Sequence, residues 1–108
     1  MRIQIAARHC DIPDSIRTRT EEQIPRLAKY DPRVSKAEVV FGEEKHVRKV
    51  EVILSVHGSE PVVARAEGGE FRSALDKVLD RLTRILKRQR SMAKDHHAPP
   101  LSQGVTGA

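Results

Sequence analysis

Two pairs of adjacent residues carry side chains that could perform covalent or metal chemistry. His9 precedes Cys10, an arrangement in which an imidazole could activate a thiol nucleophile. No third group that orients the histidine and no oxyanion donor can be named, so we interpret Cys10 as a small, partly buried residue. His96 precedes His97, but zinc sites need ligands spaced four residues apart on a helix or as Cys-x-x-Cys. The sequence therefore predicts no metal site, no cofactor and no enzyme.

Other polar or glycine-rich segments also lack a catalytic pattern. Glu43 and Glu44 follow Gly42 in a segment that reads as a turn, where solvated carboxylates are expected. Gly68 and Gly69 have neither the lysine of a P-loop nor the spacing of a dinucleotide-binding loop. These segments are interpreted as connections between secondary-structure elements.

The chemistry that the sequence favours is anion binding by a row of basic side chains. Residues 71–94 contain eight basic and two acidic residues, so this segment is more positive than the whole chain, whose net charge is +5. At about 100° per residue, one narrow helical sector holds Lys77, Arg81, Arg84 and Arg88, with no acidic residue among them. Their mutual repulsion would be relieved by phosphates, which the planar guanidinium group fits well. A solvated helix face remains the alternative.

Composition limits the class of protein and the kind of partner. A chain of 108 residues suits one small domain, and a pI of about 9.8 favours an anionic partner. The three aromatic residues, Tyr30, Phe41 and Phe71, are too few for recognition by base stacking. A single cysteine favours a reducing compartment, and no apolar stretch reaches the length of a membrane span or signal sequence. We expect a cytoplasmic protein that does not engage membranes.

The elements that must position the basic row follow from hydrophobic periodicity. Alternating residues predict strands in "RIQIAA", "KAEVVFGEE", "HVRKVEVILSVHG" and "PVVARAE". A first helix, bent near Pro25, buries the stripe Ile16, Thr20, Ile24 and Leu27 and exposes the stripe Arg19, Glu22, Arg26 and Lys29. The second helix, from about Phe71 to Lys94, buries Leu75, Val78, Leu79, Leu82, Ile85 and Leu86. We expect a domain at 1–94 and a disordered, Pro- and Gly-containing tail at 95–108.

The order β-α-β-β-β-α predicts an α/β fold of two layers. The first crossover should make its two strands parallel, and the short later connections should make the remaining pairs antiparallel. One four-stranded mixed sheet with two helices packed on one face buries every apolar stripe.

Two segments of the chain carry a resemblance to a known family. The segment "AEGGEFRSALD" precedes the basic helix, and the chain opens with "MRIQIAARHCDIPDSIRTRTEEQIPRLAKY". Over residues 1 to about 94 the chain resembles the ribosome hibernation promoting factor family, which includes ribosome-associated inhibitor A. That family typically carries A-E-G-x-D-M-Y-x-A-I-D before its basic helix and has a similar first strand and helix. Arg72 stands where the family usually has tyrosine, and Pro25 interrupts the first helix. Long members add a C-terminal dimerisation domain, which we expect this chain to lack.

The resemblance implies a ribosome-binding domain that occupies the mRNA and tRNA cleft of the small subunit and inhibits translation in stationary or starved cells. Basic positions that match the family are Arg81, Arg84, Arg88, Arg90 and Arg17. Charge alone adds Lys77 and Lys87, and the exposed stripe of the first helix adds Arg26 and Lys29. The implied partner is ribosomal RNA, with no small-molecule substrate, and the protein is expected to be a monomer off the ribosome.

Two other classes of function stay open. A general double-stranded RNA-binding module has a similar α-β-β-β-α core, but usually places a lysine cluster at the start of its last helix. Here that end carries Phe71, Arg72 and Ser73. A purely structural interaction domain would leave the basic row unexplained.

Overall fold

The element order in a computed structural model of the chain is β-α-β-β-β-α, as the sequence predicts. The structure describes residues 1–97, with side chains described for residues 1–91. Its elements are β1 (Arg2–Arg8), α1 (Asp14–Gln23), a 3₁₀ helix (Ile24–Lys29), β2 (Val34–Glu44), β3 (Val47–Val56), β4 (Val62–Gly68) and α2 (Phe71–His97).

The four strands form one mixed sheet in the order β1-β2-β3-β4. β1 pairs with β2 in parallel, and Ile3 lies opposite Ala37. The β2–β3 and β3–β4 pairs are antiparallel. The parallel pair comes from the helical crossover, whereas the short connections after β2 and β3 return the chain in the opposite direction. The predicted mixed sheet is confirmed.

Side-chain alternation puts one face of the sheet against both helices. Val39, Phe41, Val52 and Leu54 point into the core and are fully buried. Phe41 meets Phe71, the first residue of α2, edge to face, with ring centroids 5.6 Å apart. The other face of the sheet carries the alternate side chains of each strand, which are mostly polar. The two helices therefore form a single layer.

Pro25 changes the geometry of the first helical segment. α1 ends at Gln23, and the chain continues as the 3₁₀ helix Ile24–Lys29, which has Pro25 in its first turn. Proline lacks the N–H that would continue the α-helical hydrogen bonds, so a tighter turn follows. The predicted buried stripe survives this change, because Ile16, Thr20, Ile24 and Leu27 are all buried.

The boundaries differ from the predicted ones at two places. The interpretation of Glu43 and Glu44 as turn residues is wrong, because β2 continues through Glu44, where the predicted strand "KAEVVFGEE" also ends. The turn is made by Lys45 and His46, which both have positive φ, as a two-residue hairpin requires. α2 reaches His97, three residues beyond the predicted end at Lys94, and the remainder of the predicted tail, residues 98–108, lies outside the described part of the chain.

Neither helix within residues 1–97 combines the length and apolar composition that a membrane-crossing helix requires.

Candidate nucleic-acid interface

The basic row of α2 lies on the solvent side of the helix. The leucines at positions 75, 82 and 86 are fully buried against the sheet. The opposite side exposes Lys77, Arg81, Arg84 and Arg88, and also Lys87 and Arg90. The predicted facing of α2 is confirmed, although Leu79 and Ile85, predicted to be buried, are only partly buried. The facing follows from the helical period, which separates the two stripes by about half a turn.

Two members of the row also contact the edge of the sheet. The Nζ of Lys77 donates to the Glu67 carbonyl at 3.0 Å, and the Arg81 guanidinium donates to the Arg65 carbonyl. β4 is an edge strand, so its outer carbonyls have no strand partner. Lys77 and Arg81 cover this edge, and substitution of either residue therefore has a structural component as well as an effect on charge.

Arg84 has an acidic neighbour just outside the helical sector that holds the basic row. Its Nη2 lies 2.9 Å from the Asp80 carboxylate, four residues earlier. The sector itself holds no acidic residue, as predicted, but a long arginine side chain reaches a carboxylate just outside its own sector. The pair is highly exposed, with 76% of the Arg84 side chain accessible, so it offers little resistance to exchange with another anion. Arg88 has no carboxylate within 4.0 Å among residues 1–91.

A second basic site joins the 3₁₀ helix to α2 through one aromatic ring. The Nζ atoms of Lys29 and Lys87 lie 5.1 and 5.3 Å from the centroid of the Tyr30 ring. Both distances fall within the range of cation–π attraction. The tight turn after Pro25 thus leaves Lys29 directed to the same ring as Lys87, which brings together two predicted site residues from distant parts of the chain.

Next to this ring lies a buried carboxylate. Asp31 accepts hydrogen bonds from the Arg33 side chain at 3.0 and 2.9 Å and from the Arg33 backbone N–H at 3.0 Å. The side-chain hydrogen bond from Arg33 lowers the pKa of Asp31 below its ordinary value, against the effect of burial, and the charge of Arg90 adds to the lowering. Asp31 is thus held in its charged form, and Arg90 stands close enough to feel that charge.

The remaining predicted residues of the first helix are less closely connected. Arg17 and Arg26 are exposed on α1 and the 3₁₀ helix. Arg19, assigned by periodicity to the exposed stripe, is half-buried and donates to Asp76 of α2 at 3.0 Å. This ion pair and the Tyr30 contact show that the two helical segments lie side by side and run in the same direction.

The surroundings of Cys10 disfavour the thiolate form. Burial raises the pKa of the Cys10 thiol, and the neighbouring carboxylates of Glu43 and Asp11 raise it further. A thiol with a raised pKa is a poor nucleophile at neutral pH. Its Sγ lies 3.7 Å from the Phe41 carbonyl, as expected for a partly buried residue at the end of a strand.

Among the residues whose side chains the structure describes, no group of three or more His, Cys, Asp or Glu side chains is arranged to hold a metal ion. The side chains of His96 and His97 lie outside the described residues.

Sequence reasoning missed Tyr30 and Arg65 as parts of this surface. Tyr30 was counted only as one of few aromatics, although its position next to Lys29 was a local signal. Arg65 is exposed on β4, where its carbonyl meets Arg81 and its Nε donates to Glu51 at 2.6 Å. Nothing local marks Arg65, because its proximity to α2 depends on β4 being the edge strand.

Known proteins match this chain in sequence over most of its length. A family model described as sigma 54 modulation protein / S30EA ribosomal protein matches residues 3–94. The ribosome hibernation promoting factor of Azotobacter vinelandii is 36% identical over 86 residues, covering 80% of this chain and 79% of that protein. The ribosome hibernation promoting factor of Escherichia coli K12 is 28% identical over 96 residues, covering 89% of this chain and all of that protein.

Solved structures have the same fold. The N-terminal domain of Thermus thermophilus Protein Y superposes with a TM-score of 0.72 at 28% identity and covers 82% of this chain and 98% of that one. A ribosomal subunit interface protein from Coxiella burnetii gives a TM-score of 0.78 at 23% identity, with 84% and 99% coverage, which indicates a common fold. Together with a family model that spans nearly all of the sheet and both helices, these matches show that the chain belongs to the sigma 54 modulation protein / S30EA ribosomal protein family.

Proposed function

We propose that this protein is a ribosome hibernation factor. It binds the small ribosomal subunit in the cleft that mRNA and tRNAs use, through phosphates of ribosomal RNA, and so stops translation in starved or stationary cells. It acts in the cytoplasm, as a monomer when off the ribosome, and it turns over no small-molecule substrate. Family membership supports the proposal, since the similar proteins of A. vinelandii and E. coli are named ribosome hibernation promoting factors.

The observation that carries the RNA-binding step is the outward basic face of α2. Arg84 and Arg88 are exposed, while the leucines two residues away, Leu82 and Leu86, are buried, so the helix presents charge without disturbing the core. The exposed Arg84–Asp80 pair is weak enough for a phosphate to displace the carboxylate. Arginine can then hold phosphate oxygens with two parallel hydrogen bonds.

The aromatic residues favour backbone recognition over base recognition. Phe41 and Phe71 are buried in the core, and Tyr30 is half-buried beneath two lysines. Base stacking needs exposed ring faces, which these residues do not offer. The interface that remains is electrostatic, and such an interface suits folded RNA that presents closely spaced phosphates.

A general double-stranded RNA-binding module is the second candidate. Its similar core favours it, but its usual lysine cluster at the start of the last helix is replaced here by the buried Phe71 and the exposed Arg72. The positive charge lies instead along the length of α2. The two candidates differ in their preferred partner, which makes them separable by experiment.

The test is a sedimentation competition. Purified protein is mixed with small subunits, large subunits and naked duplex RNA of equal phosphate concentration, and the bound fraction is measured in each. We expect preference for small subunits, loss of binding when the cleft is first filled with mRNA and tRNA, and inhibition of cell-free translation. Equal partition onto duplex RNA, or binding unaffected by a filled cleft, would refute the proposed function.

A further inference from the structure

We propose that Tyr30 is a positioning residue for RNA binding. Its ring holds Lys29 and Lys87 together as one two-lysine site, so that both ammonium groups meet the same stretch of RNA backbone. The inference rests on the proposed function, because the two-lysine site is part of the same basic surface.

The geometry of the ring defines this two-lysine site. Lys29 Nζ lies 5.1 Å and Lys87 Nζ 5.3 Å from the same ring centroid. The two nitrogens are therefore separated by at most the sum of these distances, about 10.4 Å. One ammonium comes from the 3₁₀ helix and the other from α2, so the ring joins the basic residues of both helical segments into a continuous surface.

Tyr30 is itself firmly placed. Its backbone N–H donates to the Leu27 carbonyl at 3.0 Å, which closes the 3₁₀ helix. The ring is half-buried and packs against the hydrophobic core. The next residue, Asp31, is buried and bound to Arg33. Tyr30 is thus fixed by the backbone before and after it and by the packing of its ring. The ring can therefore serve as a fixed platform for two flexible side chains.

Holding two lysines in advance favours binding for an energetic reason. A lysine side chain loses considerable rotamer freedom when it is ordered by a ligand. Attraction to the ring removes part of that freedom before RNA arrives. Each ammonium keeps N–H donors that point away from the ring and remain available to phosphate oxygens. Two ammonium groups held on one ring also place two positive charges where neighbouring backbone phosphates can meet both.

The test compares two substitutions of the ring in binding to purified small subunits. Tyr30→Phe keeps the aromatic face and removes only the hydroxyl, so its affinity should stay within roughly twofold of wild type. Tyr30→Leu keeps apolar bulk and removes the face, so binding should weaken by roughly three- to tenfold, as expected when long side chains must be ordered on binding. Wild-type affinity for a folded Tyr30→Leu protein, or equal losses for both variants, would overturn the proposal.

A double-mutant cycle separates positioning from general structural support. Lys87→Ala is introduced into the wild type and into the Tyr30→Leu background, and the change in affinity is compared. If the ring positions Lys87, the lysine substitution weakens binding less when the ring is absent. An undiminished loss in the Tyr30→Leu background would show that Lys87 acts without the ring.

A measurement on the wild-type protein covers the case in which Tyr30→Leu fails to fold. The ε-methylene protons of Lys29 and Lys87 should show upfield ring-current shifts in NMR spectra relative to other lysines, and unshifted resonances would overturn the proposal. The Arg84→Ala/Arg88→Ala variant tests the proposed function separately from the role of Tyr30. If this variant binds small subunits as tightly as wild type, the proposed function fails. If it loses binding while Tyr30→Leu binds like wild type, only the role of Tyr30 is refuted.

Discussion

The salt dependence of small-subunit binding should fall when two outward arginines of α2 are removed. Lys77, Arg81, Arg84 and Arg88 offer four phosphate contacts, which contribute about −3 to the slope of log affinity against log salt. Arg84→Ala/Arg88→Ala removes two of them, so the slope should become shallower by about 1.5. Each arginine should also contribute about 1–3 kcal/mol to binding, as is usual for charge-assisted contacts.

The choice of Arg84 and Arg88 follows from the structure. Arg81 also donates to the β4 edge, so its removal would combine a loss of charge with a change at the sheet. Among residues 1–91, Arg84 bonds only to an exposed partner, Asp80, and the domain should therefore fold with nearly unchanged stability. Arg2→Ala/Arg8→Ala is the matched control: it removes two positive charges from exposed positions on β1, in the other layer.

Binding of labelled protein to purified small subunits, titrated between roughly 50 and 200 mM monovalent salt at constant magnesium, measures both quantities. The control should retain the wild-type slope. Asp80→Asn should bind at least as tightly as wild type, since it removes the carboxylate that competes with phosphate for Arg84. The reasoning is refuted if folded Arg84→Ala/Arg88→Ala keeps the wild-type slope, or if the β1 control loses slope to the same extent.

Three further predictions concern the core, a buried acid and the cysteine. Leu82→Ala should lower the free energy of unfolding by about 2–5 kcal/mol, because Leu82 is fully buried and its truncation leaves a cavity. A loss of less than about half a kcal/mol, measured by denaturant unfolding, would contradict this packing. The hydrogen bond from Arg33 lowers the pKa of Asp31 in the folded protein. The charged Asp31 therefore stabilises the fold at pH values above its unfolded-state pKa, near 3.8. This stabilisation is lost as the pH falls through the lower pKa of the folded state. Unfolding followed between neutral and acidic pH should therefore show a weaker acid dependence for Asp31→Asn, and an unchanged acid dependence would exclude this source. Cys10→Ser and His9→Ala should leave small-subunit binding and translation inhibition within roughly twofold, and loss of either activity in a folded variant would reveal a chemical role.

Local patterns in the sequence were sufficient to predict the elements and their inward faces. Alternation in the strands and the three-to-four residue spacing in the helices depend on backbone geometry alone, so the burial of Phe41, Leu54 and Leu82 could be inferred without knowing the fold. The break at Pro25 was equally local, because it depends on a missing N–H. The Asp80–Arg84 pair is also local. The directions of side chains around the helix do not reveal it, because the long Arg84 side chain reaches beyond its own sector.

Contacts between distant segments were decided only by the tertiary structure. The meeting of Lys29 and Lys87 at Tyr30 requires that α2 run beside the 3₁₀ helix in the same direction, and the bonds from Lys77 and Arg81 require that β4 be an edge strand. The amphipathic pattern of a helix specifies which side is buried, but not which neighbour it will lie against. The row of positive charge was therefore visible in the sequence. The contacts of Lys77 and Arg81 with the sheet edge, and of Lys29 and Lys87 with the Tyr30 ring, arose from how the layers pack.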